Sequence, residues 1–181
     1  KFKVASGQIQ VRPKNCPTFY YPLHPVTSKP FLHFPHSSRI QLLGLPILLG
    51  TSGFTYDHWK GIFYPISIPK KKWFEFYCSK FDTVEINASF YKIPTLKAVQ
   101  SWDNRSPPNF RFSFKMSRLV THVKKLKNCT NELKWFLSVL EPLMPKISAI
   151  LVQLPPNLKF DILRLKGFLD ILPDSYPFVF E

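Results

Sequence analysis

From residue 47 onward the apolar residues follow two rhythms that take turns. Runs that alternate apolar and polar positions mark strands with one buried face. Stretches with apolar residues three and four apart mark amphipathic helices. Residues 47–52 form a short apolar run closed by Gly53 and read as a strand. Pro69 opens a helical stretch to residue 80, with Trp73, Phe74 and Tyr77 at helical spacing. Residues 82–87 read as the next strand. Thr95 suits the cap of a helix over 95–105, and Pro107-Pro108 closes the connection. Residues 110–116 are a strand. Residues 130–143 are a helix with Leu133, Phe136, Leu137 and Leu140 on one face, ended or kinked by Pro142. A strand over 147–153, a helix over 161–172 with Leu165, Phe168, Leu169 and Leu172 inward, and a strand over 177–181 complete the pattern.

Strands alternating with helices predict an α/β fold with a parallel sheet and right-handed crossovers. No G-x-G-x-x-G follows the first strand and no G-x-x-x-x-G-K-[ST] occurs, so nothing supports a nucleotide-binding Rossmann sheet. A TIM-type (β/α) barrel fits better, because polar residues gather at the strand C-terminal ends. A complete barrel takes eight strands and about 250 residues. About five parallel strands are legible here, with helices outside, so the pattern reads as a partial barrel cut after its fifth strand.

The alternation also assigns faces. Val84 and Ile86, the series Phe110, Phe112, Phe114 and Met116, and the pair Phe178 and Phe180 suit the layer under the helices. The opposite set faces the barrel axis: Thr83, Glu85 and Asn87; Arg111, Ser113 and Lys115; Ala149, Leu151 and Gln153; Val179 and Glu181. Four strands thus deliver Glu85 with Asn87, Lys115, Gln153 and Glu181 toward one mouth. The first strand ends there in Thr51-Ser52-Gly53. Two carboxylates and an ammonium in a low-dielectric mouth shift one another's pKa values, as acid–base chemistry requires. The plainer alternative is a Glu85–Lys115 ion pair that merely fills the axis. Arg111, at the other end of its strand, reads as structural.

The loops add aromatics and bases. Tyr56, Trp59, Phe63 and Tyr64 follow the first strand, and Phe90 and Tyr91 the second, either as packing or as surfaces that stack on a ring. His122 follows the third strand beside Arg118, Lys124, Lys125 and Lys127, as an acid–base group, a phosphate contact or a solvated loop residue.

Residues 1–46 differ from the rest. They hold seven of the 18 prolines and no clear period, and read as an irregular or disordered arm. Residues 47–181 form the barrel part. His24, His33 and His36 lie in the arm without an ordered scaffold for a metal. The net charge is +14, from 25 Lys and Arg against 11 Asp and Glu; six of the bases and no acid lie in the arm. A polyanionic partner and a solvated basic surface both fit that balance. Cys16, Cys78 and Cys129 are odd in number and widely spaced, which argues against a disulfide framework or a zinc knuckle. They read as buried small hydrophobes in a reducing cytoplasm. No apolar run reaches the roughly 18–20 residues of a membrane helix.

Several motifs in order carry a resemblance. Gly50-Thr51-Ser52-Gly53-Phe54-Thr55-Tyr56-Asp57-His58-Trp59-Lys60-Gly61, then Phe63-Tyr64-Pro65, is similar to the opening of the YecE-like family (domain of unknown function seventy-two). So are Phe81-Asp82-Thr83-Val84-Glu85-Ile86-Asn87-Ala88-Ser89-Phe90-Tyr91 with Pro94, then Pro107-Pro108, Phe110-Arg111-Phe112 with Lys115, Thr121-His122, and Gln153-Leu154-Pro155-Pro156. The likeness covers residues 47–181. It implies a TIM-type barrel from a family whose reaction is not established, and whose usual pattern continues past Glu181 with further βα units.

Three functions follow as expectations. The first is an enzyme acting on a small polar, phosphorylated or sugar-like substrate. Glu85 or Glu181 is then the general base and Lys115 stabilises negative charge. Thr51, Ser52, Gly53, Asn87, Gln153 and His122 bind the substrate, and Tyr56, Trp59 and Tyr91 wall the pocket. Schiff-base chemistry at Lys115 is a minor variant. So is a metal-assisted version with Glu85, Glu181 and His122 as ligands; it is weak for want of H-x-x-x-H or D-x-D spacing, and no metal or cofactor is assigned. The second is nucleic-acid binding or processing, favoured by the basic loop and the aromatics. The third is an inactive piece of a barrel, whose open edges would favour oligomers.

Overall fold

The computed structural model describes residues 48–181, together with the backbone at 41–42 and 45–46. There Gln41–Leu42 (β1) and Leu45–Pro46 (β2) form a two-residue antiparallel ladder. The expectations for the rest of the arm, including Cys16 and its three histidines, lie outside the described residues.

The main sheet holds Gly50–Ser52 (β3), Thr83–Ile86 (β4), Arg111–Lys115 (β5), Ile147–Val152 (β6) and Phe178–Phe180 (β7). Every adjacent pair is parallel, and the order in space is the order in sequence. A doubly wound sheet reverses its order at a switch point. This sheet has no reversal, which is the winding of a TIM-type barrel: the fold is α/β, a partial barrel of five parallel strands. Each strand is shorter than its alternation implies, although flanking residues still bond across: the Arg111 N–H donates to the Asp82 carbonyl and the Met116 N–H to the Leu151 carbonyl.

The helices between the strands follow the sequence with four adjustments. The stretch after Pro69 is a 3-10 turn, Lys70–Lys72, running into α1 (Trp73–Cys78), which buries Trp73, Phe74 and Tyr77. Four-residue α2 (Ala88–Tyr91) was not legible in the pattern. Then α3 (Leu96–Arg105) begins under Thr95, whose hydroxyl accepts the Ala98 amide at 3.2 Å. Helix α4 (Thr130–Leu140) buries Leu133, Phe136, Leu137 and Leu140, and passes at Pro142 into a 3-10 segment, Glu141–Lys146, instead of continuing to 143. Helix α5 (Ile162–Leu169) is capped by Asp161. It buries Phe168, whereas Leu169 is 45% exposed. The eight-residue helix turns Leu169 off the stripe that meets the sheet.

The core lies between the helices and the apolar face of the sheet. Val84, Phe112, Phe114, Ile150 and Val152 are fully buried against a layer that includes Phe74, Val99, Leu133, Phe136 and Leu140. Cys129 is buried and Cys78 half-buried, both as free thiols, and burial pushes the Cys78 thiol up to about 12. Close approach of β3 to β4 depends on Gly50: a Cβ there would lie 2.0 Å from the Thr83 carbonyl oxygen.

Candidate functional site at the strand ends

Register builds the site. Ser52, Glu85, Ser113 and Ala149 are paired in one row across β3, β4, β5 and β6, and paired residues share a face. The next row brings Lys115, Leu151 and Val179 to the same face. Just before the first row β6 carries a bulge: Phe112 pairs with Ile147 but Ser113 with Ala149. The extra residue, Ser148, donates to the Phe112 carbonyl at 3.1 Å. This bulge keeps Ala149, Leu151 and Gln153 on the axis side despite the irregularity.

Glu85 is the most enclosed charged group of the site, 5% exposed. Burial raises its pKa above the ordinary carboxyl value. A hydrogen bond from the Ser52 hydroxyl and the Lys115 charge pull it partly back, and the Glu181 charge raises it further. Glu85 and Lys115 form no salt bridge; the ion pairs of the described residues lie elsewhere. The axis-filling ion pair expected as an alternative is therefore not formed. Asn87 donates from Nδ2 to the Ser52 hydroxyl. Gln153 donates to Glu181 Oε2 at 3.2 Å, closing the far side of the mouth.

Thr51 lies off the axis row. It pairs with Val84, so its side chain lies on the helix-facing side. There its hydroxyl donates to the Gly53 carbonyl at 2.7 Å and meets the Tyr77 hydroxyl at 2.9 Å. Three small residues in a row, Gly50-Thr51-Ser52, show no apolar alternation from which that could be read. Gly53 serves the site through its backbone: with φ +78° it turns the chain and donates to the Glu85 carbonyl at 2.8 Å.

The aromatics divide. Tyr56 donates to the Ser52 carbonyl, and Thr51, Ser52, Tyr56, His58 and Trp59 line a shallow cleft. His58 was not among the sequence candidates. Tyr91 is 74% exposed and stands at the rim. Its neighbour Phe90 instead enters the site: the Lys115 ammonium sits over its ring, 5.2 Å from the centroid, and the His122 ring meets it edge-on at 4.9 Å. Ser89 makes this placement possible. Its hydroxyl lies 2.6 Å from both the Ile86 and Lys115 carbonyls, tying α2 to the ends of β4 and β5.

His122 arrives on a π-helical turn, Leu119–Val123, a conformation frequent at functional sites. Its Nδ1 meets the Thr121 hydroxyl at 2.9 Å. Burial, then the charges of Lys115 and Arg118, hold its pKa below the usual imidazole value. Of the loop's other bases, Lys124 is drawn away to Glu132 at 2.8 Å. Glu85, Glu181 and His122 do not assemble as ligands: no cluster of three His, Cys, Asp or Glu side chains with metal-binding spacing occurs among the described residues. Arg111 points to the other end of its strand and donates to the Pro108 and Phe110 carbonyls.

A singly wound parallel sheet with polar groups converging at its C-terminal ends defines a protein of the TIM-barrel class. Within that class the chain belongs to the DUF72 family, described as proteins of unknown function, whose model matches residues 48–181. It is 32% identical over 108 residues to the UPF0759 protein YecE of Escherichia coli K12, a match over 59% of this chain and 40% of that protein. Its fold is similar to the crystal structure of a DUF72 family protein from Thermotoga maritima, with a TM-score of 0.59 and 30% identity over 72% of this chain and 53% of that one. A DUF72 family protein from Enterococcus faecalis shares the fold, with a TM-score of 0.51, 24% identity and coverage of 59% and 46%. The chain thus spans about half the length of these relatives or less. No helix of the described residues is long and apolar enough to cross a membrane.

Proposed function

We propose that the strand ends form an active site for a small polar substrate, with Glu85 as the proton-transfer group. The observation that carries this reading is the burial of the Glu85 carboxyl at the C-terminal end of β4, with its pKa raised and no cation paired to it. A carboxyl filling space would be replaced at a gain in stability by an apolar side chain. A carboxyl that takes and returns protons near neutral pH needs just this environment. Lys115 supplies positive charge for an anionic group of the substrate or a developing oxyanion. Ser52, Asn87 and Gln153 orient the ligand by hydrogen bonds, and Tyr56 and Trp59 wall one side. Glu181 tunes Glu85 by its charge.

The test is a screen of sugar-like and phosphorylated small molecules for turnover, run on the chain and on Glu85→Gln. Turnover by the wild type that falls at least 100-fold in Glu85→Gln supports the reading. Turnover that survives the substitution overturns the role of Glu85. The net charge of +14 favours a second reading, nucleic-acid binding. Affinity for mixed-sequence DNA or RNA that falls steeply with salt would carry it.

A further inference from the structure

We propose that Phe90 is a positioning residue that holds Lys115 and His122, with Arg118 beside them, as a subsite for the oxyanion of a small phosphomonoester. This rests on reading the strand ends as a ligand site. Four half-buried cations of the described residues are matched by carboxylates: Arg105 with Glu75 at 2.7 Å, Lys124 with Glu132 at 2.8 Å, Lys146 with Asp103 at 2.8 Å and Arg164 with Asp161 at 3.2 Å; half-buried Arg111, at the other end of its strand, bonds backbone carbonyls instead, and half-buried Lys125 has no carboxylate. Lys115 is half-buried too, but among the described residues it has no carboxylate within salt-bridge reach. Its neighbour is the face of Phe90, whose negative quadrupole steadies an ammonium without neutralising it. The edge contact to Phe90 and the Thr121 hydroxyl on Nδ1 fix the His122 ring, which leaves Nε2 as the nitrogen to meet a ligand.

Lys115 and His122 therefore meet at Phe90 as two donors, with the Arg118 charge close enough to act on His122. Lys115 comes from β5, Arg118 precedes the π-helical turn and His122 lies within it; burial first, then the two permanent cations, hold His122 toward its neutral form. An oxyanion between them reverses that repulsion, so binding and protonation of His122 reinforce each other. The ligand's size follows from the opposite side of the mouth. There the carboxyls of Glu85 and Glu181 repel a second negative charge. One anionic end and an uncharged polar body fit both sides, which favours a monoester over a polyanion.

Sulfate is the first probe, because it keeps its double charge between pH 5 and 8. The full chain is titrated with sulfate at constant ionic strength, against chloride, while NMR follows the His122 ring nitrogens. The expected result is a saturable shift, a rise in the His122 pKa, and affinity that grows as pH falls through it. Phe90→Leu should weaken sulfate about tenfold and free His122 to titrate nearer its usual value. Phe90→Tyr should restore both, and Trp135→Leu, on the exposed side of α4, should change neither. Methyl phosphate should displace sulfate and dimethyl phosphate should not. No saturable shift, or equal effects of sulfate and chloride, overturns the subsite. Unchanged binding and titration in a folded Phe90→Leu overturns the role of Phe90, and so does a Phe90→Tyr that folds but binds no sulfate. Displacement by the diester alone overturns the monoester. The Glu85 carboxyl titration, read by carbon NMR in the same sample, reports the acid–base reading separately: an ordinary value there removes that reading and leaves the subsite standing.

Discussion

Ser52 and Glu85 are register partners on adjacent parallel strands, which sets the Ser52 hydroxyl beside the buried Glu85 carboxyl. The pair joins the first strand of the barrel to the second at the level where the mouth opens. Burial raises the proton affinity of Glu85 and Ser52 lowers it partly back, because hydrogen bonding to a carboxylate favours the charged form.

Ser52→Ala should therefore raise the Glu85 pKa further, and Lys115→Ala should do the same by removing a favourable charge. Carbon NMR titration of the Glu85 carboxyl checks both. A fall in either variant would show that burial is not the leading cause of the raised value.

Glu85→Gln should stabilise the protein at neutral pH. A carboxyl whose folded pKa lies above its unfolded value binds more protons in the native state, so stability falls as pH rises from the unfolded to the folded pKa. Removing the ionisable group lifts that loss, by about 1.4 kcal/mol per unit of pKa elevation. Urea unfolding at pH 7 and pH 4 should show the gain at pH 7 and little of it at pH 4. A loss of stability at pH 7 would mean that Glu85 is a structural anchor.

Glu75 shows the opposite sign. The Arg105 guanidinium, bonded at 3.1 and 2.7 Å, holds Glu75 down to about 2. Its contribution is fully present above the unfolded carboxyl pKa of about 4.3 and is lost as pH falls toward 2. Both side chains are 35% exposed, so solvent screening limits the pair to about 1 kcal/mol. Glu75→Gln should lower stability by that amount at pH 7 and have no effect near pH 2, again read by urea unfolding.

Gly50→Ala tests the sheet itself. The new Cβ would meet the Thr83 carbonyl at 2.0 Å, and backbone on both sides leaves no soft side chain to move. A loss of about 3 kcal/mol or more, or failure to fold, is expected. Phe112→Ala, which empties a fully buried core position, should cost about 3–5 kcal/mol by the same measurement.

The alternation along 82–87 and 110–116 was enough to place Glu85, Ser113 and Lys115 on one face and Val84, Phe112 and Phe114 on the other, as the register has them. The side to which a strand residue points is a local property of the pleat, so a clear apolar pattern makes it readable. Gly50-Thr51-Ser52 has no such pattern, and there pairing with β4 put Thr51 on the helix-facing side and Ser52 in the row of Glu85. Phe90 and Tyr91 are adjacent aromatics that sequence cannot rank. Ser89, anchored to two strand ends, decided that Phe90 faces Lys115 and Tyr91 faces solvent. His122 stood in a basic loop with Lys124 and Lys125, and a π-helical turn brought it to Phe90 while Glu132 drew Lys124 aside.

By itself the sequence determined the alternation of strands with helices and the strand ends that carry polar groups, because both follow from periods shorter than one element, whereas the single winding of the sheet is set by long-range pairing. Only the tertiary structure decided which of those groups meet. Their contacts join residues far apart in the chain through short connecting turns, and the angle at which each turn leaves its strand is set by packing against the neighbouring elements.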